Sequence, residues 1–429
     1  MLARSFACFI TILLSLVDSH ILPEYIIKQE QNSHDTFTKV PLCVVNSTEP
    51  CSILNFDPTA TSTSVAPGGD SRCIFSTSSD FSFQVWPGLN DKLLVYFQGG
   101  GACWDKATTV LPLCSTSCSH QLDTGIFDKT DTRNPFGDYT IVHIAYCSGD
   151  AHAGISTRDY NDTKGVPVQQ LGAVNVQTTL DWITSQDDFW QEGGLTDLVI
   201  SGQSAGSIGA QVWADQILTQ FKTKLPYQRA AVIPDSYAGV FPPGSQGPTM
   251  VDFGICDSPV IANSQELIDL CNRNNLTLQD MASASMALHE DVPFAWIQSK
   301  RDIVQEAYYD AIGLTMEDEI DLIDDSAFYL GVNEVFSGYA RNHTNALVYL
   351  VSSDMHTYTE LDLVYHATAD GALGGGGGLK LVDWLAKFPL KPGDTVDSVC
   401  DGDIVDLVDR PQFYTKYCAS EMVRNYTQV

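Results

Sequence analysis

From Leu93 onward the chain alternates short, unbroken apolar runs with longer stretches whose apolar residues recur at helical spacing. Leu93–Phe97 (LLVYF), Thr140–Tyr146 (TIVHIAY), Leu198–Ile200, Ala230–Pro234 (AAVIP), Val292–Gln298 (VPFAWIQ) and Ala346–Val351 (ALVYLV) each read as a strand. An apolar run of this length without alternation fits a strand buried on both faces. Between the strands, Gln169–Thr184 places Leu171, Val174, Val176, Leu180 and Ile183 close to helical spacing, and Ile208–Phe221 and Ser264–Asn272 read as further helices. Strands alternating with crossover helices predict an α/β fold with a mostly parallel central sheet and flanking helices.

The stretch from Tyr237 to Glu290 is too long for a simple connection, so residues 236–290 are expected to form a cap. Residues 20–70 are rich in Ser, Thr and Asn and are expected to wrap the surface, held through Cys43 and Cys51. That leaves 71–429 as a single large domain. Gly374–Gly378 reads as a flexible loop, because no Lys-Ser/Thr follows to make it a phosphate cradle. Leu379–Lys387 reads as a short helix with Leu381, Trp384 and Leu385 on one face.

Composition agrees with a folded chain: of 429 residues, 44% are hydrophobic and 18% charged. Residues 1–19 read as an export signal, with Arg4 ahead of the apolar run Phe6–Val17 and Ser19 at the cleavage point. The run is too short to span a membrane, and no other stretch reaches the roughly 20 apolar residues a spanning helix needs. Of the 12 cysteines, Cys8 lies in the signal, so an odd number would reach an oxidising compartment. Several disulfides and one free or intermolecular thiol are expected there. Cys114 and Cys118 lack a second ligand pair and are assigned to disulfides rather than to a metal. Sequons at Asn46, Asn161, Asn275, Asn342 and Asn425 fit an exported glycoprotein. A net charge of −30 disfavours nucleic acid, anionic membranes and polyanionic substrates as partners.

The chemistry is concentrated where a strand runs into Ser201-Gly202-Gln203-Ser204-Ala205-Gly206 and a helix follows. Gly202-x-Ser204-x-Gly206 between strand and helix is a nucleophile elbow, and it makes the predicted fold α/β-hydrolase-like. A serine hydroxyl needs a base within reach and donors for the oxyanion its attack creates. Ala205 N–H can supply one donor, and the Gly99-Gly100-Gly101 loop after Leu93–Phe97 can supply the others. The acid and base should follow in that order on loops after later strands. Asp302, four residues beyond Val292–Gln298, and His356, five beyond Ala346–Val351, are placed for these roles. Asp235 and then Asp310 are the alternative acids, and His366 the alternative base.

Four blocks in order, FQGGGACW (Phe97–Trp104), AYCSGDAHAG (Ala145–Gly154), SGQSAGSIGA (Ser201–Ala210) and PDSYAGVF (Pro234–Phe241), resemble the pectin acetylesterase and Notum family of carboxylesterases. The resemblance covers roughly residues 71–388. It implies ester hydrolysis without metal or organic cofactor, with Ser204 as nucleophile, Asp302 in QSKRDIVQ and His356 in SSDMHTYT. It also implies oxyanion amides from Gly100, Gly101 and Ala205, and a structural Asp235 close to the site. The family holds enzymes that act on acetylated plant polysaccharide and others that remove a fatty acyl group from a protein. O-acetyl esters on an extracellular or cell-wall polysaccharide are the expected substrate, and a lipid-modified protein is the alternative. A hydrolase fold kept as a binding or adhesion module is the rival outside enzymes, but every group needed for catalysis is present.

Overall fold

The computed structural model describes residues 40–57, 59–316, 322–369, 378–402 and short pieces of 404–428. The expected export signal, and Gly374–Gly377 of the glycine run, lie outside the described residues. A ten-stranded sheet organises the chain. In chain order its strands are β1 (Leu42–Val44), β2 (Thr63–Ala66), β3 (Phe83–Trp86), β4 (Leu89–Phe97) and β5 (Tyr139–Ile144). The hairpin β6 (Ser156–Asn161) and β7 (Pro167–Gln170) stands apart from the sheet, which continues with β8 (Leu195–Gln203), β9 (Tyr227–Asp235), β10 (Phe294–Ser299), β11 (Ala346–Val351) and the pair Val399–Cys400. The spatial order is β1-β2-β3-β5-β4-β8-β9-β10-β11 and then Val399–Cys400, with β3 antiparallel to both its neighbours and the other pairings parallel. The α/β-hydrolase-like expectation holds.

The two-residue period of a strand explains why the central runs are apolar throughout. Leu93, Val95 and Phe97 of β4 enter the core on one face of the sheet, while Leu94 and Tyr96 enter the core on the other. Ala346, Val348 and Leu350 of β11 divide from Leu347, Tyr349 and Val351 in the same way. Each fully buried aliphatic or aromatic side chain stabilises the fold by roughly 1.5–3 kcal/mol relative to exposure.

Among the described residues the helices are α1 (Lys106–Val110), α2 (Gly172–Thr184), α3 (Ala205–Lys224), α4 (Gln246–Asp252), α5 (Gln265–Asn272), α6 (Leu278–Leu288), α7 (Ile303–Met316), α8 (Asp325–Asn342) and α9 (Leu381–Leu385). Their starts are written locally. Ser264 caps α5, Asp324 caps α8, and Thr277 with Asp280 makes a capping box on α6.

Four expectations are corrected. Gln169 and Gln170 belong to β7, so the predicted helix begins at Gly172, where the Asp150 carboxylate accepts the Gly172 N–H at 2.7 Å. Leu379 and Lys380 pair with Thr368–Ala369, which confines the predicted Leu379–Lys387 helix to Leu381–Leu385. Part of the stretch 20–70 joins the sheet as β1 and β2 rather than only wrapping it, with Cys43 and Cys51 bonded to each other. Cys118 is a thiol: among the described residues the disulfides are Cys43–Cys51, Cys73–Cys147, Cys103–Cys114, Cys256–Cys271 and Cys400–Cys418.

Candidate active site

Parallel strands deliver their following loops to one edge of the sheet, and the expected site residues lie on those loops. Gly99–Gly101 follow β4, Ser204 follows β8, Asp302 follows β10 and His356 follows β11.

Ser204 has φ 57° and ψ −125°, a conformation that costs a side-chain-bearing residue about 1–3 kcal/mol. Its surroundings hold it there. The Ser204 N–H donates to the Asp235 carbonyl at 3.0 Å, and the Ser204 carbonyl accepts from Ser207 N–H at 2.9 Å. A Cβ at Gly202 would collide with the Gly206 carbonyl, and a Cβ at Gly206 with the Phe97 carbonyl. Both glycines are thus required for α3 to leave β8 so sharply. The serine stands at the N-terminus of a 20-residue helix, where backbone amides favour negative charge.

The glycine loop is braced from several directions. Gly101 has φ 70°, and a Cβ there would meet the Leu113 carbonyl and the Tyr308 hydroxyl. The Gly100 carbonyl accepts from Ser115 N–H at 2.7 Å, and Cys103–Cys114 clamps the two sides of the loop. From beneath, His152 Nε2 lies 2.7 Å from the Gln98 carbonyl.

His356 is 4% exposed and Asp302 is fully buried. The His356 Nδ1 lies 2.8 Å from Oδ2 and 2.9 Å from Oδ1 of Asp302. Asp302 also accepts from the Val304 and Gln305 N–H groups at 3.1 and 3.0 Å, and from the Gln305 amide at 2.7 Å. These donors orient the carboxylate, which in turn selects the tautomer with the proton on Nδ1. Burial pulls the imidazole toward neutrality, but the Asp302 charge and hydrogen bond, with Asp235 and Glu360 behind them, outweigh it and raise its pKa above the ordinary histidine value.

The alternative acids and base are turned elsewhere. Asp235 accepts from Tyr358 N–H, Thr359 N–H, the Thr359 hydroxyl and the Ser236 hydroxyl at 2.7–2.9 Å, and so anchors the loop beyond His356. Asp310 accepts from Ile323 N–H at 2.9 Å, and His366 is exposed.

Ser204 and His356 line one cavity of about 30 Å³, together with Gly101 and Ala205. Trp104, Ile208, Tyr237, Phe241, Phe253, Tyr308 and Ile312 give it a largely apolar wall. Tyr237, Phe241 and Phe253 come from the segment 236–290. A larger hollow of about 670 Å³ lies by Lys92, Asp197 and Arg229, near the opposite ends of the strands, away from all these loops. Sequence reading missed Gln305, which holds Asp302, and Tyr308, which closes the cavity. Both sit on α7, where their spacing is ordinary for a helix.

Residues 71–249 match the pectinacetylesterase family. Over 144 residues the chain is 30% identical to the palmitoleoyl-protein carboxylesterase NOTUM of Schmidtea mediterranea, which covers 31% of this chain and 26% of that protein. The resemblance to the pectinacetylesterase family is thus carried by residues 71–249, less than half of the chain. The alignment spans about a quarter of the planarian Notum's length. Two crystal structures of the Wnt deacylase Notum from Drosophila share the fold, with TM-scores of 0.50 and 0.53 at 16% and 15% identity. They cover 73% and 75% of this chain and 88% and 91% of their own. The family match spans the glycine loop and Ser204, whereas Asp302 and His356 lie beyond it.

Proposed function

We propose that this chain is a secreted serine carboxylesterase that hydrolyses O-acetyl esters on an extracellular or cell-wall polysaccharide. The observation that carries the proposal is the small apolar cavity into which the strained Ser204 and the Asp302-held His356 both open. Five disulfides and five exposed sequon asparagines support export. Among the described residues no helix is long and apolar enough to cross a membrane.

His356 Nε2 takes the Ser204 hydroxyl proton as Oγ attacks the ester carbonyl carbon. The carbonyl oxygen becomes an oxyanion that Gly100, Gly101 and Ala205 N–H groups stabilise. The imidazolium then gives its proton to the departing alcohol oxygen, which leaves an acyl-enzyme on Ser204. Water, deprotonated by the same nitrogen, attacks that ester. Collapse releases the acid and returns the proton to Ser204. Asp302 holds the ring orientation and stabilises its cation throughout.

The cavity's size bears on the acyl group. A single water needs roughly 10–15 Å³ of the same kind of volume, so about 30 Å³ suits a group of acetyl size. The aromatic wall favours, as a second reading, a longer acyl chain admitted when the 236–290 segment acts as a cap and opens. Net charge −30 favours a neutral polymer as the alcohol half.

Labelling of the mature protein and its Ser204→Ala variant with a fluorophosphonate, followed by turnover of acetyl to palmitoyl aryl esters, tests the proposal. Ser204-dependent labelling with an acetyl optimum is expected, and a long-chain optimum would install the second reading. No labelling of folded protein would leave a non-catalytic binding module.

A further inference from the structure

We propose that Glu360 is a positioning residue: a second buried acid that ties the turn carrying Ser204 to the loop carrying His356 and tunes the imidazole by gaining or losing a proton. This rests on the serine–histidine reading above.

Glu360 is 3% exposed and follows His356 by four residues. Its Oε2 accepts from the Gln203 amide at 2.8 Å, and its Oε1 accepts from the Thr357 hydroxyl at 3.3 Å. Gln203 directly precedes the nucleophile and Thr357 directly follows the base. The Gln203 side chain also presses on the glycine loop, because a Cβ at Gly99 would collide with its amide. One carboxyl thus contacts two of the segments that must be held in register, and reaches the third through Gln203. Thr357 itself has φ 68° and donates its N–H to the Ser236 hydroxyl at 3.0 Å, so the base's loop is strained and needs such ties.

The two buried acids behind the imidazole are differently served. Asp235 receives four donors, two of them backbone N–H groups, whereas the Glu360 side chain receives two, both from neutral side chains. The charges acting on Glu360 are those of Asp235 and His356; Tyr358 on the same loop turns its hydroxyl to Ser299. Burial first, then Asp235, push the Glu360 carboxyl up to about 7, against the pull of His356 and of the two hydrogen bonds. Its proton therefore leaves in the range where His356 must become neutral. An ionised Glu360 stabilises the imidazolium, while a protonated one does not, so the two titrate as a coupled pair.

The test is NMR titration of the full mature protein, following ring-labelled histidine and side-chain-labelled glutamate, in the unsubstituted chain and in Glu360→Gln. The amide keeps the size and can keep the contacts. It should move the His356 midpoint and the acid limb of kcat/KM lower by about one pH unit, a displacement expected of a buried neighbouring charge. Ser204 labelling at high pH should persist. A purely structural role would lower activity equally at every pH with both midpoints unmoved, and would overturn the proposal. Should the variant not fold, the unsubstituted protein decides: a Glu360 carboxyl with one midpoint near the ordinary value of about 4.3 contradicts the idea. Ester turnover that survives Ser204→Ala would sink the serine reading and leave the Glu360–His356 titration standing by itself.

Discussion

Asp302 and His356 stand 54 residues apart in sequence, yet both carboxylate oxygens of the first lie within 2.9 Å of Nδ1 of the second. Asp302→Asn presents an amide that can offer N–H where the ring needs an acceptor, and favours the wrong tautomer. A fall in kcat of about 10³–10⁴-fold is expected, with KM little changed. Stopped assays on an acetyl aryl ester check this. A variant within tenfold of the parent would remove Asp302 from the mechanism.

The pH dependence has a definite sign. In the proposed mechanism His356 takes the Ser204 proton only when neutral, and its pKa is raised because Asp302, helped by Asp235 and Glu360, outweighs burial. Activity should therefore rise with pH through a midpoint above about 6.5, the ordinary histidine value. A kcat/KM profile already flat at pH 6 would contradict this assignment.

Two glycines give opposite expectations. At Gly206 a Cβ meets the Phe97 carbonyl, which lies in the middle of the sheet and cannot retreat, so Gly206→Ala should lower stability by about 3 kcal/mol or more. Gly338 lies within α8, and a Cβ there meets nothing within 4 Å. Gly338→Ala should stabilise by roughly 0.5–1 kcal/mol. Thermal melts of both proteins decide the matter.

Ile312, 3% exposed, forms part of the cavity wall. Truncation to alanine should enlarge the cavity and raise the ratio of butanoyl to acetyl turnover several-fold, with a stability loss of about 2–5 kcal/mol. An unchanged ratio would show that the acyl group binds elsewhere.

Cys118 Sγ lies 3.7 Å from Cys73 Sγ and 3.6 Å from Cys147 Sγ, alongside the disulfide that joins them. Burial raises its pKa to about 11, so the thiolate is scarce at neutral pH. Native protein at pH 7.5 should resist iodoacetamide and take up one label after unfolding without reductant; rapid native labelling would refute the assignment. The three sulfurs meet as a disulfide and a thiol, so they are not a ready set of metal ligands.

Much of this protein was legible in the sequence because it is local. Leu195–Gln203 running into Ser204 and α3 is encoded within about thirty residues, so the elbow could be read from its glycines and flanking patterns. The central strands were legible for a related reason: burial on both faces leaves an unbroken apolar run. Strands β1 to β3 were missed: Leu42–Val44 is a largely exposed edge strand, and the mostly buried Thr63–Ala66 and Phe83–Trp86 are four residues each and interrupted by the polar Thr63, Ser64 and Gln84. The order of acid and base could be placed on loops, where position after a strand put Asp302 ahead of Asp235. Which group each carboxylate meets fell to tertiary structure, which turns Asp235 onto the backbone of residues 358 and 359 and Asp302 onto the imidazole. The same holds for the Gln203–Glu360 contact across 157 residues, the pairing of ten cysteines and the size of the cavity. Sequence determined which segments become strands, turns and helices, because those depend on neighbours along the chain. Only packing decided which side chains meet, because distant segments come together through the burial of both sheet faces at once.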